Sequence, residues 1–78
     1  MNIKILGPGC SNCRVLFQNT QEALKSLEMS ADLEKVEDYA QMMSYGILGT
    51  PGLVIDEVLV SSGRVNTVKE ISDLIQKK

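Results

Sequence analysis

The strongest constraint on the fold lies near the start of the chain, where a Gly-Pro-Gly turn separates two different hydrophobic patterns. Residues 2–6 (NIKIL) place isoleucines on alternate positions and predict a short, mostly buried strand. After Gly7-Pro8-Gly9, apolar or small residues recur at the spacing of one helix face: Cys13, Leu16, Phe17, Thr20, Ala23, Leu24 and Leu27. Because glycine and proline interrupt regular structure, the turn joins a strand directly to an amphipathic helix.

The rest of the chain continues this alternation. Three further strands are predicted at residues 30–36, Leu53–Ile55 and Val58–Ser61. Two further helices are predicted, with the inward residues Tyr39, Met42 and Met43 in the first and Val68, Ile71, Leu74 and Ile75 in the second. The order is β-α-β-α-β-β-α, without a linker or repeat. We therefore expect one α/β domain over residues 1–78, with one sheet and helices on both of its faces.

Local signals mark the starts of the two later helices and the last hairpin. Asp38 with Gln41, and Thr67 with Glu70, have the spacing of a capping box. Asp56-Glu57 separates the last two strands, but two-residue hairpin turns favour Asn-Gly or Asp-Gly. This weak turn sequence indicates a longer loop.

Composition narrows the classes of function. The chain is 44% hydrophobic and 23% charged, which is typical of a folded protein. A net charge of −2, few aromatic residues and no basic run beyond Lys77-Lys78 argue against nucleic-acid binding. No segment is apolar for long enough to span a membrane, and the N-terminal residues lack the pattern of a signal peptide. We expect a cytoplasmic protein that binds neither nucleic acid nor membrane.

The two cysteines, Cys10 and Cys13, are separated by two residues at the start of the first predicted helix. Such a pair can be a redox couple, a metal clamp or a local staple. In a reducing compartment it is more often catalytic or metal-binding than a permanent cross-link. The chain has no histidine, which removes the usual partner for Cys-His catalysis and for mixed Cys/His zinc sites.

Helix geometry makes the two thiols inequivalent. Cys13 belongs to the apolar stripe and is expected to be buried, whereas Cys10 lies in the first turn and can face solvent. Residues three apart on a helix are neighbours, so the two sulfurs can approach bonding distance. Unpaired N–H groups stabilise a thiolate at Cys10, and Arg14 adds favourable charge. We expect Cys10 to attack a substrate disulfide and Cys13 to resolve the mixed disulfide, without a cofactor.

Other functions can use the same residues. Two thiolates suit Cu(I), Hg(II) or Zn(II), and small metal carriers place C-x-x-C between a first strand and a helix. Those carriers usually end on a strand, whereas this chain ends on a capped helix, and two ligands do not complete a tetrahedral zinc site. A staple would stabilise only weakly, because so small a ring constrains an unfolded chain little. A redox-inactive adaptor with the same fold is the third alternative.

The stretches MNIKILGPGCSNC, YGILGTPGLVID and SSGRV resemble the small thioredoxin-like redox-active disulfide proteins of archaea and bacteria, and the resemblance covers nearly the whole chain. It implies a minimal thioredoxin fold with a central mixed four-stranded sheet. It also implies a nucleophilic Cys10, a cis Pro51 beside the disulfide and a Thr50 backbone that hydrogen-bonds an extended substrate. The predicted supporting residues are Gly9, Ser11, Asn12 and Arg14. We expect a monomer whose partners are a protein disulfide substrate and a separate reductase.

The sequence departs from better-studied relatives at the motif itself. Thioredoxins usually have Trp before the first cysteine and Gly-Pro between the two, where this chain has Gly9 and Ser11-Asn12. The first strand holds Lys4 where thioredoxins bury an acidic residue, so the sequence identifies no general base for Cys13. SSGRVN has one glycine and no acidic residue at the place of the glutathione site of glutaredoxins, which argues against glutathione as the reductant.

Overall fold

A computed structural model of the chain describes residues 1–9 and 11–77. The elements in this part are β1 (Asn2–Leu6), α1 (Ser11–Ser26), β2 (Asp32–Val36), α2 (Tyr39–Ser44), β3 (Gly52–Ile55), β4 (Val58–Ser62) and α3 (Val68–Gln76). The predicted order of strands and helices is confirmed, and β2 begins at Asp32 rather than at residue 30. No helix in the described ranges is long and apolar enough to cross a membrane.

The strands form one mixed sheet in the order β2-β1-β3-β4. β1 is parallel to β2 and antiparallel to β3, and β4 is antiparallel to β3. A parallel pair needs a long crossover, which α1 supplies between β1 and β2. The carboxyl ends of β1 and β2 consequently meet the amino end of β3 at one edge of the sheet.

The two faces of the sheet carry different helices. The face covered by α1 and α3 buries Ile3, Ile5, Leu16, Ala23, Leu24, Leu53, Ile55, Ile71 and Ile75. The opposite face, covered by α2, buries Leu6, Val36, Met42, Ile47 and Val54. Successive side chains of a strand point to opposite faces, so the central strands contribute to both cores. The predicted α/β fold, with helices on both faces of a mixed sheet, is therefore confirmed.

The prediction for α2 is correct only in part. Met42 is buried as expected, but Tyr39 and Met43 are 65% and 64% exposed. The helix has six residues, so it has fewer than two turns with which to contact the sheet. Asp38 does cap it, through a hydrogen bond that its side chain accepts from the backbone N–H of Ala40.

The connection between β3 and β4 is tighter than predicted. Ile55 pairs with Val58, so Asp56 and Glu57 alone form the turn, and both have positive φ, 49° and 69°. Asp56 Oδ1 accepts a hydrogen bond from Asn2 N at 2.8 Å, and Asp56 N donates one to Asn2 O at 2.7 Å. The prediction of a longer loop is wrong. The contacts with β1 stabilise a two-residue turn that Asp and Glu do not favour by themselves.

The last helix begins as predicted. Thr67 Oγ1 accepts a hydrogen bond from Glu70 N, and Glu70 Oε1 accepts one from Thr67 N. The backbone hydrogen bond from Thr67, with the nearby Arg64, lowers the pKa of Glu70. The complete capping box fixes where α3 starts, and thereby which side chains, Ile71 and Ile75, are buried on its inner face.

Candidate functional site

Three chain segments meet at the edge where β1 and β2 end. Leu6 of β1 pairs with Val36 of β2 and with the first residue of β3. The Gly7-Pro8-Gly9 turn, Glu37 and the Thr50-Pro51 segment therefore leave the sheet side by side. A hydrogen bond of 2.9 Å from Gly7 N to Val36 O ties the turn to β2. Crevices at the carboxyl ends of strands are the usual place for sites in α/β proteins.

Cys13 lies in the first turn of α1 and is 6% exposed, as its place in the apolar stripe predicts. Its Sγ atom packs against Gly7 so closely that a Cβ atom on residue 7 would overlap it. Cys13 is disulfide-bonded. Cys10 lies outside the described residues, so its predicted exposure and nucleophilic role stay predictions.

The predicted supporting residues surround the start of α1. Gly9 has a φ of +87°, which favours glycine, and a Cβ atom there would lie 3.1 Å from Glu37 Oε2. Ser11 and Asn12 are the first two residues of α1, and both are exposed, as is Arg14. They form the surface around the buried Cys13, and their contribution to its chemistry stays a prediction.

The second predicted segment, Thr50-Pro51, lies next to the Gly7 turn at the same edge. The peptide bond between Thr50 and Pro51 is cis, as the resemblance implies. Pro51 is buried, and its carbonyl oxygen accepts a hydrogen bond of 2.9 Å from Gly63 N. Thr50 is exposed. The pairing of Leu6 with Gly52 thus brings this segment to the end of the sheet from which the Gly7 turn leaves, and its role in substrate binding stays a prediction.

A cavity of about 140 Å³ opens beside Cys13. Its other lining residues are Ile5, Gly7, Gly9, Arg14, Lys35 and Glu37. The ammonium group of Lys35 also lies 4.7 Å from the ring centroid of Phe17, a cation–π distance on the α1 face of the sheet. The volume is large enough for water. The residues that line this cavity thus include the buried cysteine, one acidic residue and two basic residues.

The sequence identified neither Lys35 nor Glu37 as a site residue. A signal was present: Glu37 directly follows a strand that is parallel to β1, and the carboxyl ends of parallel strands meet at one edge. The predicted β-α-β order is compatible with this parallel pairing but does not establish it, so the sequence alone did not place Glu37 in the site.

Lys4, at the place where thioredoxins bury an acidic residue, points away from Cys13 to the α2 face. Its Nζ donates hydrogen bonds to Tyr45 Oη and Glu57 Oε1, both at 2.7 Å, and Tyr45 Oη donates to Glu57 Oε2 at 2.9 Å. The bonds with Glu57 and then Tyr45 raise the pKa of Lys4 above its usual range. The bonds from Lys4 and then Tyr45 lower the pKa of Glu57. This network joins β1 to the hairpin turn and supplies no proton acceptor for Cys13.

Comparison with known proteins agrees with this arrangement. Residues 1–76 match a family model described as a thioredoxin domain. The chain is 39% identical over 75 residues to a thioredoxin of Methanothermobacter thermautotrophicus, covering 96% of this chain and 97% of that protein. It is 32% identical over 71 residues to a thioredoxin of Methanocaldococcus jannaschii, covering 91% of this chain and 81% of that protein. The chain belongs to the thioredoxin domain family, and this membership supports thiol–disulfide oxidoreductase activity as its general class.

Proposed function

We propose that the protein reduces or forms disulfides through Cys10 and Cys13. The Cys10 thiolate attacks a substrate disulfide, breaks its S–S bond and forms a mixed disulfide, while one substrate sulfur leaves as a thiolate. Cys13, as a thiolate, then attacks the Cys10 sulfur, releases the second substrate sulfur and closes the Cys10–Cys13 bond. Two electrons pass from the protein to the substrate, and the reverse sequence oxidises a dithiol. No cofactor takes part.

The main support is the position of Cys13, whose buried sulfur lies against Gly7 at the start of α1. A cysteine three residues earlier in the sequence is within reach of such a sulfur, because residues three apart face each other on a helix. A buried sulfur suits the resolving role, since it is shielded from thiols and oxidants in solution.

We further propose that an extended segment of a protein disulfide binds beside Thr50 and Pro51. Thr50 is exposed and precedes β3, so its backbone groups can form hydrogen bonds with such a segment beyond the end of the sheet. A separate reductase then returns the Cys10–Cys13 disulfide to the dithiol. On this proposal the protein works as a cytoplasmic, monomeric, single-domain enzyme.

Cysteine variants test the mechanism. The measurement is the reduction of a protein disulfide with dithiothreitol as electron source, compared among the wild type, Cys10→Ser and Cys13→Ser. We expect Cys10→Ser to lose activity. Reduced Cys13→Ser, freed of dithiothreitol and mixed with the substrate disulfide, should accumulate a covalent mixed disulfide that appears as a mass increase under non-reducing conditions. Unchanged disulfide reduction by Cys10→Ser rules out the proposed mechanism.

A further inference from the structure

We propose that Glu37 accepts the proton of the Cys13 thiol when Cys13 attacks the mixed disulfide. This proposal rests on the proposed function. It assigns the general base for Cys13, which the sequence did not identify. It starts from the cavity beside Cys13, which contains a carboxylate as well as the sulfur.

Two close approaches place the sulfur and the carboxylate against the same turn. The Sγ atom of Cys13 lies where a side chain of Gly7 would begin, and Glu37 Oε2 lies 3.1 Å from the position of a Cβ atom on Gly9. Gly7 and Gly9 belong to one three-residue turn, so the sulfur and the carboxylate lie against neighbouring parts of the same backbone. The cavity of about 140 Å³ between the lining residues has room for the water that would relay a proton.

The other charged groups that face this space cannot take the proton. Arg14 from α1 and Lys35 from β2 are cations at neutral pH, and they favour a thiolate without accepting its proton. Lys4 lies on the other face of the sheet in its network with Tyr45 and Glu57. Among the described residues that line the cavity, Glu37 is the carboxylate.

Because Cys13 is buried, its thiol needs a proton acceptor before it can attack the mixed disulfide. A thiolate is the nucleophile in disulfide exchange, and an apolar surrounding disfavours it. In the proposed step the Cys13 S–H bond breaks, the proton passes through water to Glu37, and the sulfur attacks Cys10. The Cys10–Cys13 bond forms, the mixed disulfide breaks, and the substrate sulfur leaves as a thiolate. Glu37 then gives its proton to solvent or to that thiolate.

The test separates the two attacks with an aromatic disulfide, dithiobis(nitrobenzoate), mixed with the reduced full-length chain at a one-to-one ratio. The first coloured thiolate reports attack by Cys10, and the second reports attack by Cys13. Both phases are followed by stopped-flow absorbance from about pH 5 to about pH 8. Because this leaving group departs as a stable thiolate, Cys13 is the source of the proton that the second phase must lose.

The variants are Glu37→Gln, Glu37→Asp and Glu34→Gln. Glu34 is an exposed residue of β2 outside the cavity, so its substitution makes the same charge change three residues before Glu37. Below neutral pH we expect Glu37→Gln to slow the second phase by about a hundredfold, the lower end of what a positioned acid or base contributes. The first phase should match the control, and Glu37→Asp should give an intermediate second phase.

The sign of the effect distinguishes proton transfer from simple electrostatics. Removing a negative charge beside a thiol favours its thiolate, so a carboxylate that acts only by charge predicts a faster second phase at low pH in Glu37→Gln. A faster second phase, or one within about twofold of Glu34→Gln, overturns the proposal. Equal slowing of both phases also overturns it. Loss of the first phase in the wild type would instead refute the proposed function, so the two failures are distinguishable.

Discussion

The Sγ atom of Cys13 occupies the space in which a side chain of residue 7 would begin. Gly7 is the first residue after β1, and its backbone N–H donates a hydrogen bond to Val36 O. This bond to β2 keeps the turn from moving away from the sulfur. Because α1 buries Cys13 against this position, residue 7 has room only for glycine.

Substitution of Gly7 tests this relationship. We expect Gly7→Ala to lower the free energy of unfolding by about 1–3 kcal/mol, because the added methyl group forces apart a packed sulfur and a hydrogen-bonded backbone. The displaced Cys13 should also attack the mixed disulfide more slowly. Urea unfolding of the oxidised protein measures the first effect, and the second coloured phase of the aromatic disulfide reaction measures the other.

Gly49→Ala is the matched control. A Cβ atom there would lie 3.5 Å from Gly63 Cα, an ordinary van der Waals contact. Gly49→Ala should lower the free energy of unfolding by no more than about 0.5 kcal/mol. Equal losses of stability in Gly7→Ala and Gly49→Ala would show that contact with the sulfur is not what requires glycine at residue 7.

The strand and helix order was predictable because it depends on periodicity along the chain. The stripe that contains Cys13 and Leu16 predicted both the face of α1 and the burial of the cysteine, and both are observed. The spacing of Thr67 and Glu70 predicted a capping box that is complete in the structure. These features are local, so a short window of sequence contains all the residues that produce them.

The features that could not be predicted depend on residues far apart in the chain. The tight turn at Asp56-Glu57 is held by Asn2 and Lys4, more than fifty positions earlier. Glu37 becomes part of the site only when β2 pairs in parallel with β1. Neither contact has a local pattern, and the turn residues alone favoured a different connection.

The hairpin turn supplies a prediction about Asp56. Asp56→Ala removes the acceptor of the hydrogen bond from Asn2 N and places alanine at a φ of 49°. We expect a loss of about 1–3 kcal/mol in the free energy of unfolding, since both the hydrogen bond and the tolerance of left-handed backbone are lost. Asp56→Asn keeps an acceptor oxygen and tolerates the same φ, so it should cost about 0.5 kcal/mol or less. Urea unfolding measures both variants, and an asparagine variant as unstable as the alanine variant would contradict this account.

The network of Lys4, Tyr45 and Glu57 supplies a pH dependence. Its hydrogen bonds lower the pKa of Glu57 in the folded protein below its ordinary value of 4.5. The stabilisation from this carboxylate is therefore complete above about pH 4.5 and is lost as the pH falls through the lower, folded-state pKa. We expect Glu57→Gln to be less stable than the wild type at neutral pH and the difference to shrink on acidification. Urea midpoints across this pH range measure the difference in stability, with Glu22→Gln on the exposed side of α1 as the control.

The destabilisation by Glu57→Gln should also weaken in high salt, because Glu57 is 64% exposed and its pair with Lys4 is screened by ions. A difference between wild type and Glu57→Gln that is constant with pH would mean that ionisation of Glu57 does not contribute to stability.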